Sequence, residues 1–180
     1  MNESYSQEMQ DSIEPIIHKK EVILIGSDHR GFDLKLLIRE HLVKLHYDVL
    51  DVGTHNKDRC DYPDIAQSLI KTMDHKKGIL ICGSGFGMCI TANRTKGIHA
   101  VTPRTVEECT IARQHGNVNV LCLGADFTAD VEAIRIVDAF LNTDSLATGD
   151  SRYGKRIKMI DDQEDEALRS VAGEKYGKRE

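Results

Sequence analysis

The sequence has no tryptophan, an aromatic share of only 5%, three prolines in 180 residues, and no Cys-x-x-Cys pair. So few rings give little from which to build a surface that stacks nucleobases or sugar rings. A positive field is missing too. The formal net charge of -5 gives no electrostatic reason to expect a nucleic-acid or membrane partner, so an anionic ligand must be held by a few placed cations. The five cysteines, at 60, 82, 89, 109 and 122, are odd in number and widely spaced. That suits neither a disulfide framework nor a zinc site, and the expectation is reduced thiols and no metal. Residues 1–20 are polar, carry acids where a signal peptide carries basic residues, and contain no apolar h-region. They are expected to form a flexible extension on a cytoplasmic protein.

What is present is one domain's worth of alternating elements. EVILIGS reads as a strand, and the helix after it places Leu34, Ile38, Leu42 and Leu45 at helical spacing. YDVLDVG is a second strand. In the helix that follows, Asp61 stands as the cap before Pro63, and Ile65, Leu69 and Met73 share a face. GILIC is the third strand, IHAV a short fourth and NVNVLCLGA a fifth. A helix over RTVEECTIARQHG lies between the last two, and DVEAIRIVDAFLN follows with a face of Val131, Ile134, Val137 and Leu141. Near-continuous apolar strands alternating with helices predict a five-stranded, doubly wound parallel sheet, a Rossmann-like three-layer sandwich. The domain should span 21–160, with a charged tail over 161–180, and residues 151–180 should form one partly docked helix followed by a frayed end.

In such sheets, ligands bind beyond the carboxyl ends of the strands, which points to Ser27, Asp28 and His29, to Cys82–Gly87, and to Asp126. The stretch CGSGFGMC at 82–89 is the most informative. It lacks the Gly-Lys-Ser/Thr of a Walker loop and the spacing of the dinucleotide fingerprint. A cysteine phosphatase needs Arg where Met88 stands, and a serine nucleophile elbow needs Gly where Cys82 stands. A thiol between a strand and a helix start, followed by glycines that expose backbone N–H groups, can act as a base beside an oxyanion hole. An inert core cysteine with glycines that merely permit close packing fits the loop equally well, and the loop alone does not separate the two.

GSDHRGFDLK, DYPD, GILICGSGFGMCITANRTKGI, ARQH followed by NVLCLGA, and Arg152-Tyr-Gly-Lys-Arg156 stand in the order and spacing of the type B ribose-5-phosphate isomerases. The resemblance covers roughly residues 21–160. It implies a homodimer, or a dimer of dimers, with shared active sites that interconverts ribose 5-phosphate and ribulose 5-phosphate through an enediolate, without a metal or other cofactor. By the same resemblance, Cys82 is the base, Ser84 (Thr in many members) serves the reacting oxygens, and Gly83, Gly85, Phe86 and Gly87 form the anion hole. Members that use a carboxylate later in the loop have it where this chain has Met88. His115 would open the furanose ring, a proton transfer suited to histidine. Asp28, His29, Tyr62 and position 116 would contact the sugar, and Arg152 and Arg156 would grip the phosphate.

Two positions depart from the pattern. Gly116 stands where the family usually has Asn, and Asp126 where a phosphate-side Arg is common. A carboxylate there repels phosphate unless a cation such as Arg113, Arg104 or Lys155 compensates. The rival expectations are isomerisation of another aldose phosphate, of six or four carbons, and a noncatalytic sugar-phosphate binding module.

Overall fold

The computed structural model describes residues 21–163; the expected N-terminal extension and most of the charged tail lie outside the described residues. Five strands, β1 (Val22–Ser27), β2 (Asp48–Asp51), β3 (Lys77–Cys82), β4 (Ala100–Val101) and β5 (Val120–Gly124), form one parallel sheet in the order β2-β1-β3-β5-β4. Between them run α1 (Phe32–Lys44), α2 (Tyr62–Thr72), α3 (Phe86–Ala92) and α4 (Val106–Gly116). After β5 come α5 (Asp130–Asn142) and α6, over residues 152–163. Among the described residues, no helix is long and apolar enough to cross a membrane.

The central strands are buried on both faces, which is why they read as unbroken apolar runs. Ile23, Ile25, Ile79, Ile81, Leu121 and Leu123 point to the layer of α1, α4 and α5, while Leu24, Leu80, Cys82, Val120 and Cys122 point to α2 and α3. The doubly wound sheet is therefore as expected, and Cys82 belongs to the α2/α3 side.

Details differ from the sequence reading. The fourth strand shrinks to Ala100–Val101 at the sheet edge. Leu45 is exposed, since α1 has already ended at Lys44. In α5 the buried stripe is Ala133, Ile136, Val137, Phe140 and Leu141, whereas Val131 is 74% exposed, so the predicted face is rotated by a residue or two. Asp61 occupies the N-cap position of α2 without making a capping hydrogen bond. The first turn is helped instead by Pro63, whose fixed φ suits it and which has no N–H to satisfy.

Candidate active site

β1 and β3 are neighbours, and the chain leaves them towards opposite sides of the sheet, towards β2 and towards β5. Their carboxyl ends therefore open the crevice where such sheets take ligands. Cys82 ends β3 and is only 4% exposed. The Gly85 N–H donates to its Sγ at 3.1 Å. Gly85 adopts φ 80°, and a Cβ there would lie 2.6 Å from Thr102 Cγ2, so the turn that delivers this N–H requires glycine. α3 starts at Phe86, and its first N–H groups have no partner within the helix. The Phe86 N–H reaches Ser84 Oγ at 3.4 Å. Close packing also has its share in the glycines: a Cβ on Gly87 would meet the Tyr62 ring at 2.6 Å, and one on Gly124 would meet Ser84 O at 2.6 Å.

Three loops wall this crevice. Asp28 is buried, and its carboxylate accepts from the N–H groups of Arg30 (2.9 Å) and Gly31 (3.1 Å), so it shapes the β1–α1 turn. The Cys60 N–H donates to His29 Nδ1 at 3.3 Å. The same Nδ1 lies 3.3 Å from the Cys60 carbonyl oxygen, so the backbone of Cys60 holds the ring in place whichever nitrogen carries the proton. Tyr62, 39% exposed, covers Gly87 from the start of α2. The cation beside Asp126 is Arg30, with Nη2 to Oδ2 at 2.5 Å, a partner that the sequence reading missed. Arg113, proposed from sequence for that task, is buried and donates instead to the carbonyls of Val118 and Thr143.

The remaining expected site residues gather elsewhere. His115 and Gly116 close α4, and the chain then reaches β5 at Val120, which is registered with Gly78. Cys82 is registered with Gly124, at the other end of the same strands. Five residues at about 3.3 Å each separate the two ends by roughly 15 Å. The His115 ring stacks on Tyr153 of α6 at 4.1 Å and 8°, and the Arg152 guanidinium lies 4.7 Å from the centre of the Tyr153 ring. Arg156 is exposed on the same helix, which is also pinned by His99 to Asp161 at 3.1 Å. The expected site residues thus fall into two groups: Cys82, Ser84, Asp28, His29 and Tyr62 at the carboxyl edge, and His115, Gly116 and Arg152 at the amino edge.

All five cysteines are free. Cys89, on α3, is an unexpected acid: its hydrogen bond with Cys122 brings it down to about 6, while burial pushes Cys122 well above the ordinary thiol range. No motif marks this pair, because the two thiols meet only when α3 packs on β5.

A doubly wound parallel sheet with a thiol and glycine loop at its switch point defines an α/β protein with a ligand crevice at the carboxyl ends of its central strands. The chain belongs to the ribose/galactose isomerase family, whose model matches residues 23–160. It is 42% identical over 143 residues to a probable ribose-5-phosphate isomerase B of Mycoplasma genitalium, covering 77% of this chain and 92% of that protein. Against the ribose-5-phosphate isomerase B of Escherichia coli it is 40% identical over 141 residues, covering 77% and 93%. Among solved structures, the ribose-5-phosphate isomerase B of Clostridium thermocellum superposes with a TM-score of 0.77 at 34% identity, covering 81% of this chain and 99% of that one. The Mycoplasma genitalium enzyme with bound ribulose 5-phosphate gives 0.73 at 41%, covering 81% and 97%.

Proposed function

We propose that this chain interconverts ribose 5-phosphate and ribulose 5-phosphate, with Cys82 as the base, at sites formed jointly by two copies of the chain in the cytoplasm. The observation that carries the reading is the Gly85 N–H on Cys82 Sγ, at the head of a glycine loop, in a member of this family. His115 opens the furanose by moving a proton between the ring oxygen and the anomeric hydroxyl, because only the open aldehyde has an acidic C2 proton. The Cys82 thiolate removes that proton from C2. The electron pair of the C–H bond forms the C1–C2 double bond, and the carbonyl electrons collect on O1, where N–H groups of the Gly83–Gly87 loop meet them. The thiol returns the proton to C1 while the O2 proton passes to O1 with help from the Ser84 hydroxyl, leaving a ketone at C2. No metal or other cofactor takes part in this scheme.

The two-chain site is supported by the split within one chain, since His115 and Cys82 stand at opposite ends of β5 and β3. Phe86 and Ile90, 49% and 68% exposed on α3, give the catalytic loop an apolar border that a second copy would cover. Five free thiols suit a reducing compartment.

The test is the conversion of ribose 5-phosphate by wild type and Cys82→Ala, each with and without EDTA. Wild type is expected to turn over in EDTA, and the variant to lose about two to four orders of magnitude in kcat. Undiminished turnover in the variant removes Cys82 as the base, and loss of wild-type turnover in EDTA removes the metal-free scheme. Gly116 and Asp126 favour a second reading, the same chemistry on another aldose phosphate, and relative kcat/KM on five- and six-carbon substrates separates the two.

A further inference from the structure

Two loops meet over Gly83. From one side, Asp28 fixes the backbone at Arg30 and Gly31. From the other, the Asp126 N–H donates to Gly83 O at 3.0 Å and the Ala125 N–H to Cys82 O at 2.9 Å, so the carboxylate is anchored to the backbone that carries the thiol. A Cβ built on Gly83 would lie 2.7 Å from both Arg30 Nε and Asp126 Oδ2, which puts the ion pair directly over the glycine loop. The two side chains are 58% and 36% exposed, and an exposed pair of this kind adds little to stability. A guanidinium carries five N–H donors in a rigid plane. Among the described residues, the side-chain hydrogen bond of Arg30 is the one to Asp126, which leaves donors for a second anion.

We propose that Arg30 binds the phosphate end of the substrate at the carboxyl edge of the sheet, and that Asp126 is a positioning residue that orients it. The inference rests on the isomerase reading above. Asp126 alone would repel a phosphate. With Arg30 at 2.5 Å its charge is offset, and a guanidinium already held on one edge gives up less freedom when it takes phosphate on another. His29, the adjacent residue, is held in the same loop by Cys60.

Steady-state kinetics with competitive inhibitors test this. For Arg30→Ala, the KM for ribose 5-phosphate and the inhibition constant of inorganic phosphate should both rise by about tenfold to a hundredfold. The kcat and the inhibition constant of unphosphorylated ribose should stay near wild type, and Arg30→Lys should recover part of the loss. Asp126→Ala should raise the KM less than Arg30→Ala does, and the double variant should be no worse than Arg30→Ala. Unchanged phosphate inhibition in Arg30→Ala, or equal weakening of phosphate and ribose, overturns the proposal. If wild type does not turn over ribose 5-phosphate, the isomerase reading fails by itself. Calorimetric titration with inorganic phosphate then still decides for Arg30, whose replacement by Ala must weaken binding by about tenfold to a hundredfold if the inference holds and leaves it intact if the inference is wrong.

Discussion

Gly85 shows how one residue sets the chemistry of another. Its left-handed backbone turns an N–H onto Cys82 Sγ, and its missing side chain leaves room for Thr102. Gly85→Ala should cost about 1 to 3 kcal/mol in the backbone conformation alone. Denaturant unfolding reads that cost, and activity should fall further than the stability loss explains. Cys89 gives a pH prediction. Its acidity is raised, so the thiolate is present above about pH 6 and is lost as the pH falls through that value. At pH 7, iodoacetamide should label Cys89 before Cys109, which burial pushes up to about 11, and before Cys122. Labelling of Cys109 first, read by mass spectrometry, would contradict this order. Cys82 and its glycines stood out in the sequence because strand, thiol and loop are contiguous, although the loop alone left a packing role equally open. Arg30 did not stand out, since its partner lies 96 positions away and only the fold brings the two loops together.

At the scale of elements, apolar periodicity located every central strand and the helices between them, because a parallel sheet covered on both faces leaves long apolar runs. It located faces less well. In α5 two overlapping stripes compete, and the wider one, containing Ala133 and Phe140, wins because it packs on β5 and α4. Lys35, between Leu34 and Leu36, is fully buried, with its ammonium 2.8 Å from Asp51 and donating to the Thr54 carbonyl, and no sequence pattern marks it. It ties α1 to the end of β2 and to the loop beyond. Removing one partner of a buried pair leaves the other charge uncompensated, so Lys35→Ala should cost about 3 to 5 kcal/mol. Urea unfolding checks it, and a loss below 1 kcal/mol would show that Asp51 finds water instead.

At the scale of the molecule, the expected site residues divide between the two edges of one sheet. His115, Gly116 and Arg152 stand at the amino edge and Cys82 at the carboxyl edge, so neither edge of a single chain holds the whole set. Under the proposed function, the ring-opening acid and the proton-transferring base come from different copies. Sequence order alone does not place the two groups: Cys82 and His115 are 33 positions apart, and the direction of β5 sets which end of the sheet each stands at. Co-expression of Cys82→Ala with His115→Ala tests this most directly. Each variant alone should be inactive on ribose 5-phosphate. Random pairing makes half the dimers mixed, each with one intact site of two, so about a quarter of wild-type activity should return. A mixture that stays as inactive as its parents, although native mass spectrometry shows mixed dimers, would contradict the shared site.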